Sequence, residues 1–67
     1  MIHLIKGIGS DTEKIQIEED YDTTIISCSY IDEETGYNEI IVRLDLEKLH
    51  SFIGTLLHVQ AKLKNNR

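Results

Sequence analysis

The chain has no proline and only one cysteine among its 67 residues. A lone cysteine cannot close an internal disulfide, so no covalent staple is available and the fold suits a reducing compartment. No apolar run approaches the roughly 20 residues of a transmembrane helix. The N-terminus has no basic segment followed by a long apolar stretch, so no export signal is expected. The chain therefore reads as soluble and cytoplasmic, with no membrane partner. Acidic residues are missing from one whole region: Lys48–Arg67 carries four bases and no acid, a net charge of +4. All twelve acids lie within Met1–Glu47 beside only three bases, a net of −9. A surface that negative argues against direct binding of DNA or RNA. It permits a basic partner, or imitation of a nucleic acid. Solvation of exposed loops is the plainer explanation.

At 40% hydrophobic and 28% charged residues, the composition is that of a globular chain rather than a disordered one. Sixty-seven residues make one domain, 1–67, near the lower limit for folding without staples. With disulfides excluded, oligomerisation is the remaining source of help.

The strongest local signal runs from Asp45 to Asn65. Leu46, Leu49, Ile53, Leu56, Leu57 and Leu63 recur at helical spacings of three and four. Asp45 is a good N-cap, Glu47 suits the first turn, and Lys62 and Lys64 suit the last. Asn65 and Asn66 are placed to end the helix in a left-handed conformation. Stepping about 100° per residue, these side chains with Phe52 and Val59 fill an arc of roughly 200°. A helix lying on one surface needs only a little over about 100°. Either the helix is deeply seated, or it has a second apolar partner. Leu49, Ile53, Leu56, Gln60 and Leu63 also step four, three, four, three, like a short coiled-coil seam.

Ahead of the helix, alternation and β-branching mark strands at Ile2 to Lys6 or Gly7, Lys14–Glu18, Thr23–Ile31 and Tyr37–Leu44. Gly7, Gly9, Ser10 and Asp11 form a turn, and Glu18, Glu19, Asp20 and Asp22 an acidic connector around Tyr21. Asp32, Glu33, Glu34, Thr35 and Gly36 make a five-residue hairpin loop in which Gly36 supplies a positive φ. That loop pairs Ile31 with Tyr37. Thr24, Ile26, Cys28 and Tyr30 then share a face with Leu44, Val42, Ile40 and Asn38, and this more apolar face is expected beneath the helix. The opposite face carries Ile25, Ile31, Tyr37 and Ile41. The expected fold is α+β: a small antiparallel meander of three to four strands packed against one C-terminal α-helix.

No arrangement of residues points to catalysis. GIGSD lacks the GK[ST] and the following helix of a phosphate-binding loop. The acidic connector does not match a calcium-binding EF-hand loop. His50 and His58 are eight apart rather than four, and with His3 they make no zinc pattern. Cys28 reads as a buried structural thiol. No cofactor, metal or catalytic residue is expected.

In composition the chain is similar to tiny acidic proteins of phages and other mobile elements, which act by binding one host protein. That likeness covers no motif and assigns no site residue. The apolar surplus on the helix and on the second sheet face points to a regulatory protein-binding module, acting as inhibitor, adaptor or regulatory subunit. The apolar surplus adds a homodimer, with Phe52, Leu56, Val59 and Leu63 on the helix and Ile25, Ile41 and Tyr37 on the sheet as contact candidates. The alternative is a nucleic-acid mimic that blocks a basic cleft through Glu18, Glu19, Asp20, Asp22, Asp32, Glu33 and Glu34.

Overall fold

A computed structural model describes residues 1–66. Four strands, β1 (Ile2–Lys6), β2 (Lys14–Asp20), β3 (Thr23–Asp32) and β4 (Gly36–Leu44), precede one helix, α1 (Leu46–Asn65). The strands pair antiparallel in the order β1-β2-β3-β4, a meander followed by a C-terminal helix. Each connection is too short for a crossover, so neighbours in sequence must be neighbours in the sheet.

The β3–β4 hairpin has the register expected from its loop, with Ile31 opposite Tyr37 and Cys28 opposite Ile40. The Asp32 carboxylate accepts from the amides of Glu34 (2.7 Å) and Thr35 (3.2 Å), which closes the turn from its first residue. Gly36 follows at φ 81°, where a side chain would be strained.

The β2–β3 connection is tighter than its composition suggested. β2 runs past the expected end at Glu18 to Asp20, so Glu19 and Asp20 are strand residues rather than a connector. Only Tyr21 and Asp22 form the turn, because Asp20 pairs with Thr23. Tyr21 adopts φ 62°, a conformation that two-residue hairpins normally give to glycine or asparagine. Three acids in a row had masked the alternation of β2 by lacking any apolar residue to mark its inner face.

The β1–β2 loop is tied by its own residues. Gly7 donates its amide to the Glu13 carbonyl (2.9 Å), and Gly9 donates to the Glu13 carboxylate (2.6 Å). A carboxylate of the chain thus sits on the loop amide that a phosphate would need. Ahead of the first β2 residue, the Thr12 hydroxyl accepts from the Ile31 amide (2.9 Å) and donates to its carbonyl (3.3 Å), extending the ladder with a side chain.

Helix α1 starts as its caps predict. The Asp45 carboxylate accepts from the Lys48 amide (2.9 Å), and the Asp45 carbonyl from Leu49 (2.8 Å). Its end differs from expectation. Asn65 is still helical, and Asn66 has φ −90° rather than a left-handed conformation while its amide donates to the Lys62 carbonyl (3.2 Å).

The larger departure is where the helix goes. It buries none of its residues, and among the described residues Leu49 is the one helical side chain that is even half-buried. Its contacts are slight and fall on β3 and β4. The molecule measures 39 × 36 × 18 Å with a radius of gyration of 14.0 Å. A compact domain of this length would have about 11 Å. The physical reason lies in the connection, which is Asp45 alone. Two Cα steps, from Leu44 to Leu46, reach at most about 7.6 Å. A helix packed over a sheet must rise to roughly the 10 Å spacing of stacked layers and also reverse direction. The chain therefore leaves the sheet and does not fold back over it.

Candidate interaction surface

The register assigns every strand residue to a face. One face, here face A, carries Ile5, Ile15, Cys28 and Ile40 in one cross-strand row, and His3, Ile17, Ile26 and Val42 in the next. Ile26 is the one buried hydrophobic residue among those described. Around it face A is open, with Ile40 69% exposed and Ile5 55%. Cys28 is exposed as well, contrary to the buried thiol expected, because the helix meant to cover it does not lie there. Beside Cys28 is a trough of about 460 Å³, lined by Gly7, Ile15, Tyr30, Asn38 and Ile40 among others.

The opposite face, face B, is broken up by polar rows. Leu4, Gln16, Ser27 and Ile41 form one, and Ile2, Glu18, Ile25 and Arg43 another. Ser27 and Ser29 are buried there between larger neighbours. The Tyr37 hydroxyl donates to the Glu39 carboxylate (2.9 Å). Of the three sheet residues singled out in the sequence, Ile41 and Tyr37 are exposed on this face and Ile25 is half-buried. They lie among charges, whereas face A is nearly continuous apolar surface.

On the helix, Phe52, Leu56, Val59 and Leu63 are all exposed, from 37% for Phe52 to 65% for Leu63. Ile53, Leu56, Leu57 and Gln60 frame a second hollow of about 270 Å³. The helix and face A therefore present two separate apolar surfaces. Ile5, Ile15, Ile40 and Val42 were overlooked in the sequence because their face was assigned to the chain's own helix. The single-residue connection at Asp45 was the signal that could have revealed them.

The acids divide between the two ends of the sheet. Glu18, Glu19, Asp20 and Asp22 lie at the end where β3 begins and β4 finishes, and Asp32, Glu33 and Glu34 at the other. Ten residues of β3, about 33 Å, separate them. At the first end Arg43 meets Asp20 (3.4 Å) and His3 approaches Glu19 (3.7 Å), both in solvent. Exposed pairs of this kind contribute little to stability. Among the described residues no three His, Cys, Asp or Glu side chains are grouped to hold a metal ion. No described helix is long and apolar enough to cross a membrane.

No protein-family model matches the chain, and neither a curated protein nor a solved structure does.

Proposed function

We propose that this chain is a non-enzymatic protein-binding module, an inhibitor, adaptor or regulatory subunit that works through its exposed apolar surfaces and assembles as a homodimer. One observation carries the reading. The accessible surface is 6044 Å², whereas a compact folded chain of this size exposes about 4,300 Å². The excess of roughly 1,700 Å² is far more than a scatter of surface apolar residues provides. Part of it comes from α1, which buries no residue, and from the open apolar rows of face A, where apolar anchors are grouped as a binding surface requires.

A nucleic-acid mimic is the second reading, and the −9 charge of Met1–Glu47 supports it. The separation of the acids onto two ends about 33 Å apart favours it less, because a mimic needs a continuous run of negative charge.

Capture of the native binding partner from its host separates the two. One variant set removes the apolar anchors Phe52 and Val59 to alanine. The other converts Glu18, Glu19, Asp20 and Asp22 to amides. The protein-binding reading expects the first set to lose binding and the interaction to persist at high salt. Loss confined to the amide set, with steep salt sensitivity and competition by DNA or RNA, would promote the mimic.

A further inference from the structure

We infer that the occupant of face A is the helix α1 of a second copy, so that two chains exchange helices in a reciprocal dimer. The inference rests on the reading above that the chain self-assembles, and it specifies the arrangement.

Three observations converge on it. The first is the connection. With only Asp45 between β4 and α1, the chain does not lay the helix over its own sheet, so each copy owns both a helix with no buried residue and an open sheet face. Short connections of this kind favour exchange of an element between copies. The second is area. Covering an excess of roughly 1,700 Å² on each of two copies buries about 3,400 Å² in total, within the range of obligate homodimers. The third is charge. Helix α1 carries Lys48, Lys62 and Lys64 against Glu47, a net of +2, while the chain before it, Met1–Asp45, holds eleven acids and three bases, a net of −8. Helix on sheet brings opposite signs together. Helix on helix or sheet on sheet would bring like signs together, which disfavours both.

The dimensions agree. Helix α1 has 20 residues, about 30 Å, and β3 spans about 33 Å. Four strands are about 14 Å across from first to last, and a helix with its side chains is about 10–12 Å wide, so one helix covers most of one face. Its arc of roughly 200° then has a use: one side meets the partner's sheet, and the flank bearing Phe52 and Val59 remains for a third protein. A face-to-face pairing of two sheets would leave the whole helix bare. A helix-to-helix pairing would leave the trough beside Cys28 empty.

The test combines mass, cross-linking and one insertion. Light scattering of the full chain at high micromolar concentration is expected to give twice the monomer mass. Cys28 is the native thiol of face A, so single cysteines are placed on the apolar side of the helix as Ile53→Cys, Leu56→Cys and Gln60→Cys. Each is also made on a Cys28→Ser background. With a short bis-maleimide, the reciprocal dimer cross-links between chains when Cys28 is present and not when it is replaced. Inserting Gly-Ser-Gly-Ser between Leu44 and Asp45 lets the helix fold back, so that variant should become a monomer at low micromolar concentration with its helical signal intact. A monomeric wild type overturns self-assembly itself. A dimer that links Cys28 to Cys28, links helix to helix on the Cys28→Ser background, gives no Cys28-to-helix link at any of the three positions, or stays dimeric after the insertion overturns the reciprocal arrangement alone.

Discussion

The sheet and the helix of this molecule are built on opposite terms. The sheet is held by three successive antiparallel pairings and by turns that close on their own side chains. Its buried apolar content is small, so hydrogen-bonded ladders and hairpin geometry contribute much of its definition. The helix has a good N-cap, charges that suit its dipole and a wide apolar arc, but no buried residue. Twenty residues with ordinary propensity make at best a marginal helix in water, because most helical stability comes from packing an apolar face. The sheet is locally self-consistent, whereas the helix leaves its apolar arc uncovered.

The largest expected effect therefore falls on the helix. Leu56→Asp places a charge in the middle of the apolar arc and should weaken assembly by about 2–4 kcal/mol. Sedimentation should show a monomer, and helical circular dichroism should fall while amide protection in β2 and β3 persists. Loss of protection throughout would mean that the sheet depends on the helix after all, and the contrast between the two would fail.

Next comes the sheet. Gly36→Val forces a β-branched residue to φ 81° with no neighbour to compensate, at a cost of about 1–2 kcal/mol. The urea midpoint should drop at constant protein concentration. An unchanged midpoint would show that the β3–β4 turn is not what defines this sheet.

Gly54 lies mid-helix, and nothing stands near a side chain added there. Gly54→Ala should raise thermal stability by about 1 kcal/mol through helix propensity alone. Destabilisation instead would place Gly54 at a close backbone approach between copies, which sharpens the position of the helix in the assembly.

The smallest effect is expected at the β2–β3 turn. Tyr21 is fully exposed at φ 62°, so Tyr21→Gly relieves strain that outweighs the added chain entropy. A gain of about 0.5 kcal/mol is expected, read from the same urea midpoints.

How far the sequence could be read follows from the same contrast. The register of β3 and β4 was legible because a hydrophobic pattern of period two and one glycine point to the same pairing. The cap at Asp45 was legible because a side chain three residues from an orphan amide is a local matter. The end of β2 was not, since Glu19 and Asp20 carry no apolar signal and their strand conformation comes from pairing with Thr24 and Thr23. Among the contact candidates, the exposed helix residues Phe52, Leu56, Val59 and Leu63 were visible from periodicity, while Ile5, Ile15, Ile40 and Val42 were not.

By itself, then, the sequence determined the order β-β-β-β-α, the hairpin register and the segregation of charge, all of which depend on residues within a few positions of one another or on simple alternation. Only the tertiary structure decided that the helix stands away from the sheet, that Cys28 is exposed and that face A is open. Amphipathic periodicity says that a helix needs an apolar partner but carries no information on which surface supplies it. That choice rests on the reach of one residue, Asp45, measured against the spacing between a sheet and the helix that would cover it.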